Sequence, residues 1–425
     1  MSVPAAAAEP VAASPLSARV AAFVGAGTLV LNTATFLVYF GIARLATHET
    51  YGDILALLSV VFIGYVPAVV ASLTVARRIA LVAAQAGPAA TARIEREVLR
   101  RTYAVALAVL AAGVVARAPV AALLHVADPG AVGWAAAALA ISIVFQIQRG
   151  MIQGLERYRG LALSYALEGA GRFVFGLLGT ALAGESGFFA GIALALGAVA
   201  LFNGIELVRH RSAAGTSGAA AASEDARASA ATALAMAVVT VLSLYDAILV
   251  KHWFAPETAG LYAAAAVVGR ATYSMVAVIP AILLPRVVHL TSGGRSTARV
   301  LGASIAATAA PMLLATAAVA LLPHLVMAVV AGRSFDAATA YAFPLSLAAG
   351  TLALANLGTT YLVARRRFAV VPWLLAAGLA EIAWVSLAHG SLGAVAWAVC
   401  AGHAATLVVS GAALLASRER PRGRE

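Results

Sequence analysis

Residues 49–78 read ETYGDILALLSVVFIGYVPAVVASLTVARR, and residues 257–286 read ETAGLYAAAAVVGRATYSMVAVIPAILLPR. The first stretch carries no charged side chain from residue 54 to residue 76. That is enough apolar chain to cross a bilayer, since a spanning helix needs about 20 residues. Hydrophobic residues make up 62% of the 425 positions and charged residues only 11%, whereas soluble domains contain about 25% charged residues. The sequence therefore predicts an all-α polytopic membrane protein.

Twelve apolar stretches, separated by short breaks with Arg, Gly or Pro, are long enough to cross the membrane with some tilt. We therefore predict twelve transmembrane helices in two pseudo-symmetric lobes of six. Their approximate limits are residues 20–43, 53–76, 102–124, 131–148, 160–183, 187–208, 229–250, 260–285, 300–323, 337–363, 369–389 and 391–416.

The basic residues predict the orientation of these helices, because short cytoplasmic loops are enriched in Arg and Lys. With the N-terminus inside, 23 of the 29 basic residues, Arg149 among them, fall in cytoplasmic segments. Only Arg44, Lys251 and Arg333 fall outside, so both termini are predicted to be cytoplasmic. The net charge of +11 follows from this pattern, and it does not form one soluble face that could bind nucleic acid.

A polar stretch without periodicity, residues 209–228, is typical of a flexible linker and separates the two groups of helices. The predicted organisation is a disordered cytoplasmic tail over residues 1–18 and a first lobe over residues 19–208. After the linker follow a second lobe over residues 229–417 and a basic cytoplasmic tail over residues 418–425. The first tail lacks the charged start and short apolar core of a signal peptide.

The two stretches quoted at the start align without a gap at an offset of 208 residues. Six predicted crossings separate them, so both copies have the same orientation. Parallel repeats of this kind occur in transporters that bind substrate between their halves. Chance agreement in a sequence rich in Ala and Val is the alternative. The shared residues include Glu49 and Glu257, Gly52 and Gly260, and Tyr65 and Tyr273.

Four segments carry a family pattern. GIARLATHETYGDILALLS (41–59) holds a Glu-x-Tyr-Gly turn, and QRGMIQGLERYRGLAL (148–163) holds a turn with Gln and Arg. LYDAILVKHWFAPETAGLYAAAAVV (244–268) has an Asp in a helix followed by Ala-Gly-x-Tyr, and PAILLPR (280–286) ends in Pro-Arg. Together they resemble the polysaccharide-flippase branch of the multidrug/oligosaccharidyl-lipid/polysaccharide exporter superfamily, which includes O-antigen flippases. The motifs are degenerate, so the resemblance implies the superfamily better than the substrate.

Charged residues inside predicted spans are candidate substrate contacts, because each costs at least about 2.5–3.5 kcal/mol unless it has a partner, a wet cavity or a function. Arg270 lies about 16 Å along its helix, near the midplane, with no acidic residue at helical spacing. It is the strongest candidate, because a guanidinium binds phosphate through two parallel hydrogen bonds. Glu168 and Arg172 share a helix face. Either the two residues form a neutral pair, or Arg172 faces a cavity and exchanges Glu168 for an anionic substrate group.

Two further carboxylates lie within spans. Asp246 is nearer the outer end of its helix, where it would line an outer vestibule or pair with Lys251. Glu381 lies midway along a helix with no basic neighbour at helical spacing, so it would counter a cavity arginine or carry a proton or a sodium ion. Arg117, near an outer helix end, can extend to the membrane surface.

The resemblance and these charges together imply a flippase of the cytoplasmic membrane. It would translocate a polyprenyl-diphosphate-linked oligosaccharide by alternating access, for synthesis of cell-surface polysaccharide. The implied partners are the lipid-linked glycan, membrane lipids and a polysaccharide polymerase or ligase, and neither nucleic acid nor a bound cofactor is expected. Coupling to a proton or a sodium ion is left open.

The alternatives are a cation-coupled multidrug exporter of the same superfamily and a non-transporting membrane scaffold. A major facilitator fold also has six plus six spans, but residues 76–96 lack its Gly/Asp/Arg signature. No enzyme is expected, because the sequence contains no P-loop, zinc-protease helix, nucleophile elbow or Rossmann fingerprint.

Overall fold

The computed structural model describes residues 15–213 and 226–416, and these residues form only helices, turns and bends. The predicted linker and both predicted tails therefore lie largely outside the described residues. The α-helices are α1 (Pro15–Leu45), α2 (His48–Val115), α3 (Arg117–Leu123), α4 (Pro129–Gly154), α5 (Tyr158–Ala213), α6 (Ala226–Leu242), α7 (Tyr245–Trp253), α8 (Pro256–Val276), α9 (Val278–Ser292), α10 (Ala298–Leu321), α11 (Pro323–Val330), α12 (Thr339–Ala364), α13 (Val371–Leu387) and α14 (Leu392–Ala416). Short 3-10 helices span Arg333–Ala338 and Phe368–Val370.

Side-chain caps begin the two helices that pack most closely in the first half. The Oγ1 of Thr47 accepts a hydrogen bond from the backbone N–H of Thr50 at 3.2 Å, at the start of α2. The Oδ1 of Asp128 accepts one from the N–H of Gly130 at 2.7 Å, at the start of α4. Pro129 follows in the first turn of α4, where a missing N–H costs nothing. Both caps lie at the predicted outer ends of these helices.

Helix α2 doubles back on itself. The backbone of Ser72 lies against Gly150, near the end of α4, whereas Gly113 lies against Ala136, near its start. A straight helix would separate residues 72 and 113 by about 60 Å, but the facing part of α4 is only about 21 Å long. The reversal includes Gly87, whose φ of 75° lies in the left-handed region that glycine adopts without steric cost. The predicted spans 53–76 and 102–124 therefore run in opposite directions.

Helix α5 reverses in the same way. Ala183 and Gly184 leave the helical conformation, with φ of −152° and 55° respectively. On either side of this break Gly179 and Gly187 pack backbone against backbone, and a Cβ on either residue would overlap the carbonyl of the other. The chain thus forms a tight helical hairpin where the sequence predicts a short loop between residues 183 and 187.

Ten helical stretches of the described chain are long and apolar enough to cross a membrane. Two of them, His48–Val115 and Tyr158–Arg209, contain the reversals just described. The protein is therefore a multi-pass helical membrane protein. The count of twelve crossings and the orientation stay predictions, because length and composition do not place the bilayer.

Helices of each half pack chiefly on one another, and the halves meet where α2 contacts α7 and α8. The backbones of Gly52 and Gly260 face each other at this interface. The sequence repeat pairs these two residues, and equivalent residues meet in this way only at a two-fold axis between related units. Tyr51 also contacts Phe335 across the same boundary, with ring centroids 5.2 Å apart.

Substituting Gly260 by Ala should weaken this interface, because a Cβ at Gly260 would overlap the backbone carbonyl of His48. We expect a lower apparent melting temperature in detergent, corresponding to an overpacking cost of about 1–3 kcal/mol. Gly302→Ala is the matched control, since a Cβ at Gly302 meets no atom within 4 Å. Equal melting temperatures for the two variants would show that the halves do not need this close approach.

Candidate functional site

A cavity of about 440 Å³ lies between the two halves. Four of the five predicted site residues line it, namely Glu168, Arg172, Asp246 and Arg270, whereas Glu381 does not. Arg149 also lines it. The cavity wall is mixed, with polar and aromatic side chains from both halves. These include Asn32, Tyr39, Phe62, Tyr65, Gln146, Tyr165, Ser243, Tyr273, Ser274 and His403.

Glu168 is shared by two arginines from different helices. Its Oε2 accepts from Nη1 of Arg149 at 2.6 Å, and its Oε1 is 2.5 Å from Nη2 of Arg172. Only 3% of Glu168 is exposed. The expected pairing of Glu168 with Arg172 is thus present, but one carboxylate serves two guanidinium groups. A second guanidinium charge therefore has no carboxylate of its own here.

Arg149 and Arg172 differ in how fully their donors are used. Arg149 also donates to the side chain and the backbone carbonyl of Ser164, at 2.8 and 2.7 Å, and its guanidinium lies over the ring of Tyr165. Arg172 lies over the ring of Phe62, and its Nε has no hydrogen-bond partner among the described residues. Arg149 is consequently held in place, whereas the Nε of Arg172 is a buried donor that is not used among the described residues.

Arg149 is not among the predicted site residues, because the sequence predicts it in a cytoplasmic loop. The structure instead continues α4 to Gly154, so Arg149 lies within the helix and is only 3% exposed. The predicted span ends at residue 148 because Arg149 is the first basic residue after the apolar stretch. Two glutamines just before it, Gln146 and Gln148, are also buried, and they were the signal that the polar end of α4 lines a cavity.

Asp246 forms an ion pair with Arg270 and accepts a hydrogen bond from the hydroxyl of Tyr262 at 3.0 Å. The expected pairing of Asp246 with Lys251 was wrong, and Asp246 lines the cavity between the halves. Residues 243–244 form a turn between α6 and α7, so Asp246 lies in the first turn of a new helix. A carboxylate is favoured at that end of a helix.

Lys251 instead pairs with Asp53 across the two halves, and each residue is 1% exposed. The backbone N–H of Ala127 also donates to Asp53, at 3.4 Å. Asp53 follows Gly52 in the chain, so this ion pair adjoins the close contact between α2 and α8. Further contacts between the halves lie at the same predicted outer end: Arg44 with the carbonyl of Val329, His48 with that of Ser334, and His252 with that of Leu123.

Glu381 lies apart from the arginines of the cavity, in the second half. Its Oε1 accepts from the hydroxyl of Tyr245 at 2.9 Å and lies 3.2 Å from Nε2 of His403. His403 is itself part of the cavity wall. His403 could not be identified from the sequence, because a single histidine in an apolar helix gives no pattern.

Besides His403, the cavity wall contains three arginines and two carboxylates, Glu168 and Asp246. The arginines of the wall therefore outnumber its carboxylates by one, which favours an anionic occupant. No group of three or more metal-ligating side chains occurs in the described part of the chain.

No model of a known protein family matches the sequence, and no curated protein matches it. Among solved structures, a multidrug resistance MATE family transporter of the MOP superfamily, in an inward-facing conformation, is similar with a TM-score of 0.72 and 10% identity, over 91% of this chain and 94% of that chain. The lipid II flippase MurJ, in an inward closed conformation, has a TM-score of 0.67 and 10% identity, over 94% and 88%. The Vibrio cholerae MATE transporter VcmN has a TM-score of 0.61 and 10% identity, over 96% of both chains.

These neighbours are transporters and a flippase, not enzymes. The chain therefore has the fold shared by MATE transporters and MurJ. The narrower resemblance to O-antigen flippases is not confirmed by these comparisons.

The buried pair of Asp53 and Lys251 predicts a specific outcome in a double-mutant cycle. Asp53→Asn or Lys251→Met alone leaves one buried charge without a partner, at a cost of about 3–5 kcal/mol. The double variant removes both charges, so its apparent melting temperature in detergent should lie above that of either single variant. A double variant as unstable as the sum of the two losses would contradict the direct pairing.

Proposed function

We propose that this protein is a flippase that moves a polyprenyl-diphosphate-linked oligosaccharide across the cytoplasmic membrane for cell-surface polysaccharide synthesis. The observation that carries the proposal is the charge imbalance of the cavity between the halves, with three guanidinium groups and two carboxylates. A diphosphate and its sugars cannot enter hydrocarbon without compensation for lost hydration. Guanidinium groups supply that compensation through charged hydrogen bonds.

Arg172 and Arg270 are the proposed diphosphate ligands. Arg172 keeps an unused Nε donor, and Arg270 is 15% exposed at its side chain while it pairs with Asp246. Arg149 would hold Glu168 in place and so leave Arg172 available to the substrate. Neutral groups of the wall, such as Asn32 and Gln146, would hydrogen-bond to the sugars, while the polyprenyl tail stays in the bilayer.

The places where the halves touch support alternating access. The contacts of Gly52 with Gly260 and of Asp53 with Lys251 close the predicted outer end of the cavity. The substrate would therefore enter from the cytoplasmic side. Breaking the outer contacts while the cytoplasmic ends approach would release it outside, where a polymerase or ligase would receive it.

A multidrug exporter is the second candidate, and the aromatic wall favours it. Tyr39, Phe62, Tyr65, Tyr165 and Tyr273 line the cavity, and rings of this kind bind flat apolar cations. Asp246 and Glu381 would then be the coupling carboxylates. The excess of arginine opposes a cationic occupant, so we favour the flippase.

The test removes Arg270 as a ligand together with its counter-ion Asp246, so that neither charge is left unpaired and the excess of arginines over carboxylates stays at one. We compare Arg270→Gln combined with Asp246→Asn to the unmodified protein in proteoliposomes, and measure translocation and binding of a polyprenyl-diphosphate glycan. Losing a charged hydrogen bond of about 1.5–3 kcal/mol should weaken binding roughly 10- to 100-fold and slow translocation. The exposed Arg367 supplies the control, Arg367→Gln, which should behave as the unmodified protein.

Each contrary outcome has a separate meaning. Equal translocation by the double variant and the unmodified protein would refute the role of Arg270 but not the flippase. Export of organic cations without glycan translocation would establish the multidrug exporter. If neither the unmodified protein nor the double variant transports the glycan or organic cations, and cells with the double variant have a normal phenotype, the result would support a scaffold.

A further inference from the structure

His403 connects four helices of the second half. It lies on α14, is 4% exposed and forms part of the cavity wall. Its Nδ1 is 3.0 Å from the backbone carbonyl oxygen of Ala348 on α12. Its Nε2 is 3.0 Å from the carbonyl oxygen of Leu242, the last residue of α6, and 3.2 Å from Oε1 of Glu381 on α13. Among the described residues, the hydrogen-bond and ion-pair partners of the ring are therefore all oxygens that can accept a hydrogen bond.

This geometry defines the protonation state of the ring. A carbonyl oxygen accepts hydrogen bonds and cannot donate, whereas a neutral imidazole has only one N–H. Hydrogen bonds from both ring nitrogens to Ala348 and Leu242 therefore require the doubly protonated imidazolium. Glu381 supplies the negative charge that such a buried cation needs. Its Oε1 also accepts from the hydroxyl of Tyr245, which fits an ionised carboxylate.

Other titratable groups adjoin this pair from the helices packed against it. Tyr245 on α7 donates to Glu381, and the next residue in the chain is Asp246, which holds Arg270. Tyr262 on α8 donates to Asp246. Among the described contacts of His403, α6 and α12 contribute only backbone carbonyls. The second oxygen of Glu381, Oε2, is buried without a hydrogen-bond partner in the described part of the chain.

We propose that His403 and Glu381 form a proton-binding site through which a proton gradient drives transport. The proposal rests on the transport function proposed above and names its coupling ion. A proton reaches His403 from the cavity and binds to a ring nitrogen, giving the imidazolium that the contacts with Ala348 and Leu242 require. The site does not hold sodium, because the charged ring already provides the cation next to Glu381.

Loss of the proton acts on the substrate site through the turn between α6 and α7. A neutral ring keeps one N–H, so either Leu242 or Ala348 loses its donor and the packing of α6, α12 and α14 changes. Leu242 immediately precedes the turn at residues 243–244 that places Asp246 beside Arg270. Protonated His403 stabilises the arrangement in which the two halves touch at their predicted outer ends. Release of the proton towards the cytoplasm permits the outward-opening step with substrate bound.

The protonation state can be measured without any substrate. We would label the full chain with ¹⁵N-histidine in lipid nanodiscs and assign the His403 signal by its loss in His403→Gln. The expected spectrum at pH 7 shows N–H protons on both ring nitrogens of His403. His389→Gln, at the exposed residue His389, is the control that should leave this signal unchanged. A single N–H on His403 at pH 7 overturns the proton site, whatever the protein transports.

The coupling is tested by the leaflet distribution of a polyprenyl-diphosphate glycan in proteoliposomes of one orientation. With the predicted outer side more acidic, exchange of one proton per lipid should shift the steady-state ratio between leaflets about tenfold per pH unit. His403→Gln should give a ratio near one at every gradient, and His389→Gln should match the unmodified protein. Translocation with a ratio near one in the unmodified protein overturns the coupling and leaves the flippase intact. Absence of translocation refutes the proposed function and with it the coupling, and leaves the proton site to be decided by the spectrum.

Discussion

The unequal numbers of arginines and carboxylates in the central cavity constrain the rest of the structure. A guanidinium in the membrane interior must be solvated by something other than lipid, so it needs carboxylates, aromatic faces, backbone carbonyls or a hydrophilic ligand. Glu168 satisfies two arginines at once, and Asp246 satisfies Arg270. We propose that a negatively charged substrate compensates the remaining positive charge.

The charged cavity lies between the two halves, so access to it depends on the contacts that join them. The halves are joined at the predicted outer end by a contact between two glycines and by the buried pair of Asp53 and Lys251. Neither interaction can be stretched gradually, because a buried ion pair is costly when separated and close backbone packing is lost over a short distance. The outer end is therefore either closed or open, which is the behaviour that alternating access requires.

Much of the architecture could be predicted from the sequence, because a membrane restricts the possible folds. Only helices satisfy their backbone groups within a short apolar stretch, and the reversals at Gly87 and at Ala183–Gly184 fall at breaks between predicted spans. Four of the five predicted site residues line one cavity, since charges inside spans rarely lack a polar environment. The repeat pairs Gly52 with Gly260 in the sequence, but only the structure shows that these two glycines face each other at the interface.

The sequence predictions failed at Arg149, Asp246 and His403 for physical reasons that a single sequence does not reveal. Arg149 was assigned to the cytoplasm because a basic residue at the end of an apolar stretch usually lies in a loop, and only the neighbouring strip of polar side chains shows otherwise. The predicted pairing of Asp246 with Lys251 assumes one continuous helix. The turn at residues 243–244 instead directs Asp246 towards Arg270. His403 depends on two backbone carbonyls from distant helices, and no spacing in the sequence encodes such a contact.

The central claim is that the cavity selects a diphosphate by charge. The most direct measurement compares the affinities of the unmodified protein for undecaprenyl diphosphate, undecaprenyl monophosphate, undecaprenol and the lipophilic cation ethidium in the same nanodiscs. The account predicts that the diphosphate binds most tightly, the monophosphate less tightly and undecaprenol weakly, with no saturable binding of ethidium. Tighter binding of ethidium than of the diphosphate, or equal binding of the three lipids, would contradict it.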